Sequence, residues 1–147
     1  MDAARGRPAY FRIVDEGRIP ESERLARRVF SVLDERAADA LGELVHPSVV
    51  LVSRVRPGVT VEGKEDFVRF VQDTLANSLY EASVSSFKAL DDDRVVVEGR
   101  LRWIDENRVI RDDHVIWAME FRDGLLARAI PARTLVEAET ILGGAPT

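Results

Sequence analysis

Few residues of this chain combine reactive chemistry with suggestive neighbours, and Asp113 is foremost. It opens the run Asp113-His114-Val115-Ile116-Trp117-Ala118-Met119-Glu120-Phe121. Alternate side chains of a strand share a face, which sets Asp113 in line with Val115, Trp117, Met119 and Phe121. A carboxylate at the edge of an apolar wall is the arrangement in which proton exchange with a ligand becomes useful, so Asp113 is the candidate acid or base. Its bland alternative is a hairpin-end charge or a partner for an arginine. Arg54 and Arg133 are the cations suited to an anionic substrate group or to pairing with Asp113, and both also fit ordinary surface roles. Tyr10 and Tyr80 are read first as packed rings, with a hydroxyl able to donate into a pocket.

Other chemistries lack their residues. The chain has no Cys, which excludes disulfides, thiol catalysis and thiolate-bound zinc. His46 and His114 stand alone with no i,i+4 partner, so no metal site is expected. Asp91-Asp92-Asp93 lacks the Gly and distal Glu of a calcium loop and reads as a turn. Gly63-Lys64 and Gly143-Gly144 lack phosphate-loop spacing. None of these patterns requires a cofactor, and none is expected.

The bulk numbers bound the rest. A chain of 147 residues, 46% apolar and 32% charged, suits one globular domain. The formal charge of −5 gives no general attraction to nucleic acid or anionic membrane. Arg5-Gly6-Arg7-Pro8 matches the core of a minor-groove hook but is short and isolated, and reads as a basic tail. No apolar run approaches a membrane span, and the first residues lack the apolar region of a secretory signal, so a cytoplasmic protein is expected.

Several elements must position these side chains. Residues 1–20 read as an N-terminal arm, with a short strand over Tyr10–Val14. Leu25, Val29, Val32 and Leu33 recur at helical spacing after Pro20 and predict a first helix. A second, short helix spans about Asp39–Val45 and ends at His46-Pro47, because the residue before Pro avoids the α region. Val49–Val52 is a strand and Arg56-Pro57-Gly58 a turn. A third helix runs from about Lys64 to Asn77, with Phe67, Phe70, Val71 and Leu75 inward. Period-two patterns then predict strands over Tyr80–Leu90, Arg94–Ile104, Val109–Phe121 and Leu125 to about Leu135, the hairpin signal Arg122-Asp123-Gly124 joining the last two. Val136–Leu142 forms a last helical turn, and residues 143–147 are a tail. In the strand from Arg94, Val95, Val97, Gly99, Leu101 and Trp103 form the apolar, concave set. In the last strand Ala127, Ala129 and Arg133 are the concave candidates.

The order of these elements resembles a known superfamily. The pattern is a helix, a short helix ending in Leu44-Val45-His46-Pro47-Ser48, and an apolar strand. Val61-Glu62-Gly63-Lys64-Glu65-Asp66-Phe67 then opens a helix, and Glu120-Phe121-Arg122-Asp123-Gly124-Leu125-Leu126-Ala127-Arg128 sits between two long strands. Over residues 21–142 the chain resembles the SnoaL-like, nuclear transport factor 2-like (NTF2-like, cystatin-like) superfamily, which includes polyketide cyclases, ketosteroid isomerases, limonene epoxide hydrolases and scytalone dehydratases. The resemblance implies an α+β cone, three helices on a curved, mainly antiparallel sheet, enclosing a largely apolar pocket. It also implies a homodimer. Ketosteroid isomerase chemistry needs an Asp base and a Tyr/protonated-Asp oxyanion hole. The corresponding positions here carry Ser53, Val29 and Trp117, so that mechanism is not expected.

The expected site is therefore Asp113 for catalysis, with Val29, Ser53, Arg54, Val97, Leu101, Trp103, Val115, Trp117, Met119 and Arg133 around the ligand. The expected ligand is a small apolar organic molecule. The resemblance suggests a cofactor-independent isomerase, cyclase, dehydratase or hydrolase. The competing reading is a non-catalytic dimerisation or partner-binding module, for which Ile116 and Ala118 would supply an outward apolar face beside Glu98, Arg100 and Arg102.

Overall fold

The computed structural model describes residues 18–56 and 58–143. The expected arm strand and the Arg-Gly-Arg-Pro segment lie outside the described residues, as does most of the tail. Helix α1 spans Glu21–Asp34. Pro20 precedes it, and Glu21 and Glu23 meet the positive end of its dipole. It buries Ser22, Ala26, Val29 and Val32, one stripe at helical spacing. Its end is a Schellman-type turn: Arg36 N–H donates to Leu33 O (2.9 Å) and Ala37 N–H to Val32 O (3.3 Å), with Arg36 at φ 58°.

Helix α2 (Ala38–Gly42) is followed by β1 (Val45–Val52), β2 (Thr60–Glu62) and α3 (Lys64–Leu75). Then come β3 (Glu81–Ala89), β4 (Arg94–Ile104), β5 (Ile110–Arg122), β6 (Leu125–Ala132) and α4 (Leu135–Ile141). The strands form one sheet in the order β2-β1-β6-β5-β4-β3. Only the β1–β6 pair is parallel. The β5–β6 turn places Asp123 and Gly124 both at positive φ (56° and 77°), the type I′ geometry that matches strand twist.

The alternation expected for β4 and β5 is borne out. Val95, Val97, Leu101, Trp103, Val115, Trp117, Met119 and Phe121 are all buried in the main core, against α1 and α3. The opposite face holds a surprise for the sequence reading. Val96, Ile116 and Ala118 are also buried, in a second cluster with Ala138 and Leu142. Helix α4 covers them, so Ile116 and Ala118 are not an outward docking face, and the described helices number four rather than three. Thr134 Oγ1 accepts the Glu137 N–H (3.0 Å), and the Glu137 carboxylate turns back to the Arg133 N–H (2.6 Å), which starts this helix firmly.

Two local expectations are corrected. His46 and Pro47 do not end a helix; they lie within β1. Pro47 lacks an N–H, and it falls where the β1–β6 register slips between Val45 and Val50. The His46 ring accepts the Ser48 N–H there (3.0 Å). In β6 the register shifts opposite Glu120/Phe121. That bulge brings Leu126 and Ala129 onto the core face, leaves Ala127 buried outside that cluster, and breaks the expected alternation.

Gly99 has a specific task. A Cβ there would sit 2.2 Å from the Ser83 carbonyl oxygen, because β3 bulges against β4 between Val84 and Ser86. Gly99→Ala is expected to destabilise the fold by about 1–3 kcal/mol through overpacking. Urea unfolding checks this, and an unshifted midpoint would mean that β3 does not press on this position.

Candidate functional site

Two adjoining cavities lie between the sheet and the helices. The inner one, about 100 Å³, is lined mainly by apolar groups, including Val29, Phe30, Phe67, Leu101, Trp117 and Met119. Phe30 and Trp117 meet ring to ring at 5.1 Å, which fills much of the interior. The outer cleft is about 750 Å³, and its wall sets charged and polar side chains among apolar surface. Trp103, Ile104, Arg111 and Asp113 form its sheet side, and Asp73, Thr74 and Asn77 come from α3 and the loop after it. Arg54, Val55, Thr74 and Tyr80 line both spaces, which therefore adjoin.

Asp113 opens onto the outer cleft rather than the interior. Its carboxylate accepts a hydrogen bond from Arg54 Nη2 at 3.2 Å, and the two side chains are 39% and 37% exposed. A place at the edge of the apolar wall was expected, and the pairing with an arginine was one of the alternatives legible in the sequence. Ser53 is buried on the inner cavity wall, and its Oγ accepts the Arg56 N–H (2.8 Å), holding the turn after β1. Val29, Leu101, Trp117 and Met119 line the inner cavity as expected, and Trp103 the outer cleft. Val97 and Val115 are core and line neither space. Arg133 lies beyond β6, exposed and away from both.

The β4–β5 loop is held in shape by one carboxylate. Asp105 accepts the N–H groups of Asn107 and Val109 (both 2.9 Å) and Nε of Arg111 (2.8 Å). Chiefly the Val109 hydrogen bond holds its carboxyl below the usual range. This fixes the far rim of the outer cleft and neutralises Arg111.

Sequence reasoning underrated Tyr80. It lines the outer cleft, the inner cavity and a third hollow of about 280 Å³ on the side of α1. Its loop is clamped from both sides. Arg36 donates to the carbonyls of Leu75 (2.6 Å), Asn77 (3.0 Å) and Tyr80 (3.0 Å). Asn77 donates to Ile104 O (2.7 Å) and accepts the Leu79 N–H (3.1 Å). Burial pushes the Tyr80 phenol up to about 12, partly offset by the Arg36 charge. The one sequence clue was Asn77-Ser78-Leu79-Tyr80, a turn followed by an aromatic residue.

With this geometry in view, the comparisons with known proteins are clear about class. The chain belongs to the SnoaL-like domain family, which it matches over residues 26–129. No curated protein matches significantly. Among solved structures it is similar to RV0760c of Mycobacterium tuberculosis in complex with estradiol-17β-hemisuccinate, at 12% identity and a TM-score of 0.68, covering 81% of this chain and 98% of that one. It is similar to SalBIII, an epoxide hydrolase/cyclase-like enzyme with a role in pyran ring formation in salinomycin, at 12% identity and 0.65, covering 79% and 92%. A ketosteroid isomerase-like fold protein from Catenulispora acidiphila in complex with trimethylamine matches at 14% identity and 0.62, covering 82% and 92%. At these identities the likeness establishes the fold, and with it the NTF2-like, α+β class expected from the sequence.

Tyr80 gives a direct test of the site's dryness. Its folded pKa lies above the ordinary 10.0, so the folded chain holds the proton more tightly. The corresponding stability is present below pH 10 and lost as pH rises toward about 12. Ultraviolet titration of the two tyrosines should therefore show one ionising late, and Tyr80→Phe should remove that late component. Ionisation of both at an ordinary pH would contradict a buried phenol.

Proposed function

We propose that this chain binds a flat, mainly apolar organic molecule and acts on it as a cofactor-independent acid–base catalyst, of isomerase, cyclase, dehydratase or hydrolase type. The observation that supports the reading is that Arg54, Val55, Thr74 and Tyr80 line both an apolar interior hollow and the larger cleft that contains Asp113. An apolar edge of the ligand gains by leaving water for the inner wall. Its polar end then lies in the outer cleft, where Asp113 is the proton carrier and Arg54 holds the carboxylate in place. At about 750 Å³ the outer cleft is the space large enough for a ring system, and the inner cavity of about 100 Å³ takes only a small apolar edge of it. The isomerase positions, occupied by Ser53, Val29 and Trp117, argue for a different set of proton carriers.

The reading of the chain as a dimerisation or partner module has lost the apolar outer face it drew on, since α4 lies over Ile116 and Ala118.

Native mass spectrometry of freshly purified protein comes first, with an adduct of small-molecule mass as the expected outcome. The two tryptophans then locate the ligand by fluorescence. Trp103 reports the outer cleft and Trp117 the inner cavity, so Trp103→Phe and Trp117→Phe variants separate their responses. Asp113→Asn should abolish turnover of the identified ligand while changing stability by under about 1 kcal/mol, because the Arg54–Asp113 pair is well exposed. Binding without turnover in the unaltered protein would reduce the function to a carrier. Turnover that survives Asp113→Asn would remove Asp113 as the proton carrier.

A further inference from the structure

Helix α1 closes on an arginine at a place that suits glycine better. Arg36 stands at φ 58° in the Schellman-type turn, a left-handed conformation that strains an ordinary side chain and that glycine adopts freely. Such strain persists where a residue has another task. The task of Arg36 is visible at the far end of its side chain. Its guanidinium donates to the carbonyls of Leu75 (2.6 Å), Asn77 (3.0 Å) and Tyr80 (3.0 Å), all in the stretch that leads from the end of α3 to β3. No other hydrogen bond among the described residues ties that stretch to α1 or its closing turn. All three bonds are exposed, so water can take them over at modest cost.

The stretch lies where the hollows meet. Tyr80 is the one residue common to the outer cleft, the inner cavity and the third hollow. Phe30 and Leu33 are shared by the third hollow and the inner cavity, so the small inner space adjoins both larger ones. The Tyr80 ring packs against the main core. The residues before it are free of regular structure, and Ala76, Ser78 and Leu79 are exposed. Asn77 holds the stretch to the sheet through Ile104 O (2.7 Å). A short exposed segment with one tie on each side can open locally while the β4–β5 pair stays closed.

We propose that residues 76–80 are a strap governing entry to the inner cavity, with Tyr80 as its plug and Arg36 as its latch. The inference rests on the small-molecule reading above and deepens it, because it supplies the route by which an apolar ring reaches the inner wall. Arg36 lines neither the inner cavity nor the outer cleft, so it acts through the strap as a positioning residue. When its three bonds let go, the strap turns about the Asn77–Ile104 tie and Tyr80 leaves the interior. When they re-form, the guest is enclosed. Since the latch is remade over the guest, its loss speeds entry and exit alike and leaves the affinity as it was.

Arg36→Gly tests this, because it removes the latch and gives the turn the residue that fits it best, which keeps the helix end folded. The probe is fluorobenzene, a single apolar ring of the kind that small dry cavities accept. Fluorine NMR reads its affinity and its exchange rate together. In Arg36→Gly the association and dissociation rates should each rise about tenfold at unchanged affinity, the effect of one net hydrogen bond. Hydrogen exchange should quicken at the Leu79 and Tyr80 amides, whose acceptors are in Asn77, and stay as before in the middle of β4 and β5. Unchanged probe rates, or unchanged exchange at those two amides, overturns the latch and leaves the pocket standing. A changed affinity in place of two raised rates would make Arg36 a ligand contact, and overturns the latch equally. Failure of fluorobenzene to bind either form overturns the reading of the inner cavity as a ligand space, and this inference with it.

Discussion

The unbroken pairing of β4 with β5 is the constraint on which the molecule depends. From Arg94↔Glu120 to Ile104↔Ile110 the two strands run in register without a bulge. Because alternate residues face opposite ways, that register commits every side chain of both strands at once. Val95, Val97, Val115 and Trp117 go to the α1 side, and Val96, Ile116 and Ala118 to the α4 side. Burial of both faces in the middle of this pair is the main hydrophobic gain of the fold. The other strands, the Ser22 hydroxyl that anchors α1 to Asp91 O (2.6 Å), and the placement of the helices are arranged around it.

The same register explains where the site is. Toward the Ile104 and Ile110 ends the strands outrun α1 and α4, and residues that continue the apolar alternation stop being core. Trp103 is still buried, but Arg111 and Asp113 on the facing strand reach the cleft. The polar groups therefore gather at the mouth of the cone and not inside it. Ser53 holds a turn, and Val29 and Trp117 line the interior wall.

Much of this was legible in the sequence, for identifiable reasons. Long antiparallel strands announce themselves by period two, and β4 falls at the expected Arg94–Ile104. The Asp123-Gly124 turn carries its own chemistry. What was not legible depends on three-dimensional convergence. The run Ile116-Trp117-Ala118 reads as one buried and one exposed face until a helix is known to cover the second; Thr134-Leu-Val-Glu137 was the capping signal that marked this helix. The β6 bulge shifts parity with no strong sequence mark, which sent Arg133 to the wrong side. Asp113 falls on the cleft wall, but which of its alternatives holds was not legible, because the pattern does not say how far the helices extend. Tyr80 stands out only through the meeting of three hollows and a loop clamped by a distant arginine.

The uneven shielding of β5 has a consequence for motion. Its middle, around Ile116–Ala118, is buried on both faces, whereas at its beginning Ile110, Arg111 and Asp112 are exposed among the described residues and Arg111 and Asp113 border the cleft. Amide hydrogens in the middle can exchange with solvent only when the whole fold opens, but those at the beginning can do so through local fluctuation. One strand thus belongs at one end to the most permanent part of the molecule and at the other to the part free to adjust around a guest. The rim can breathe without loosening the centre.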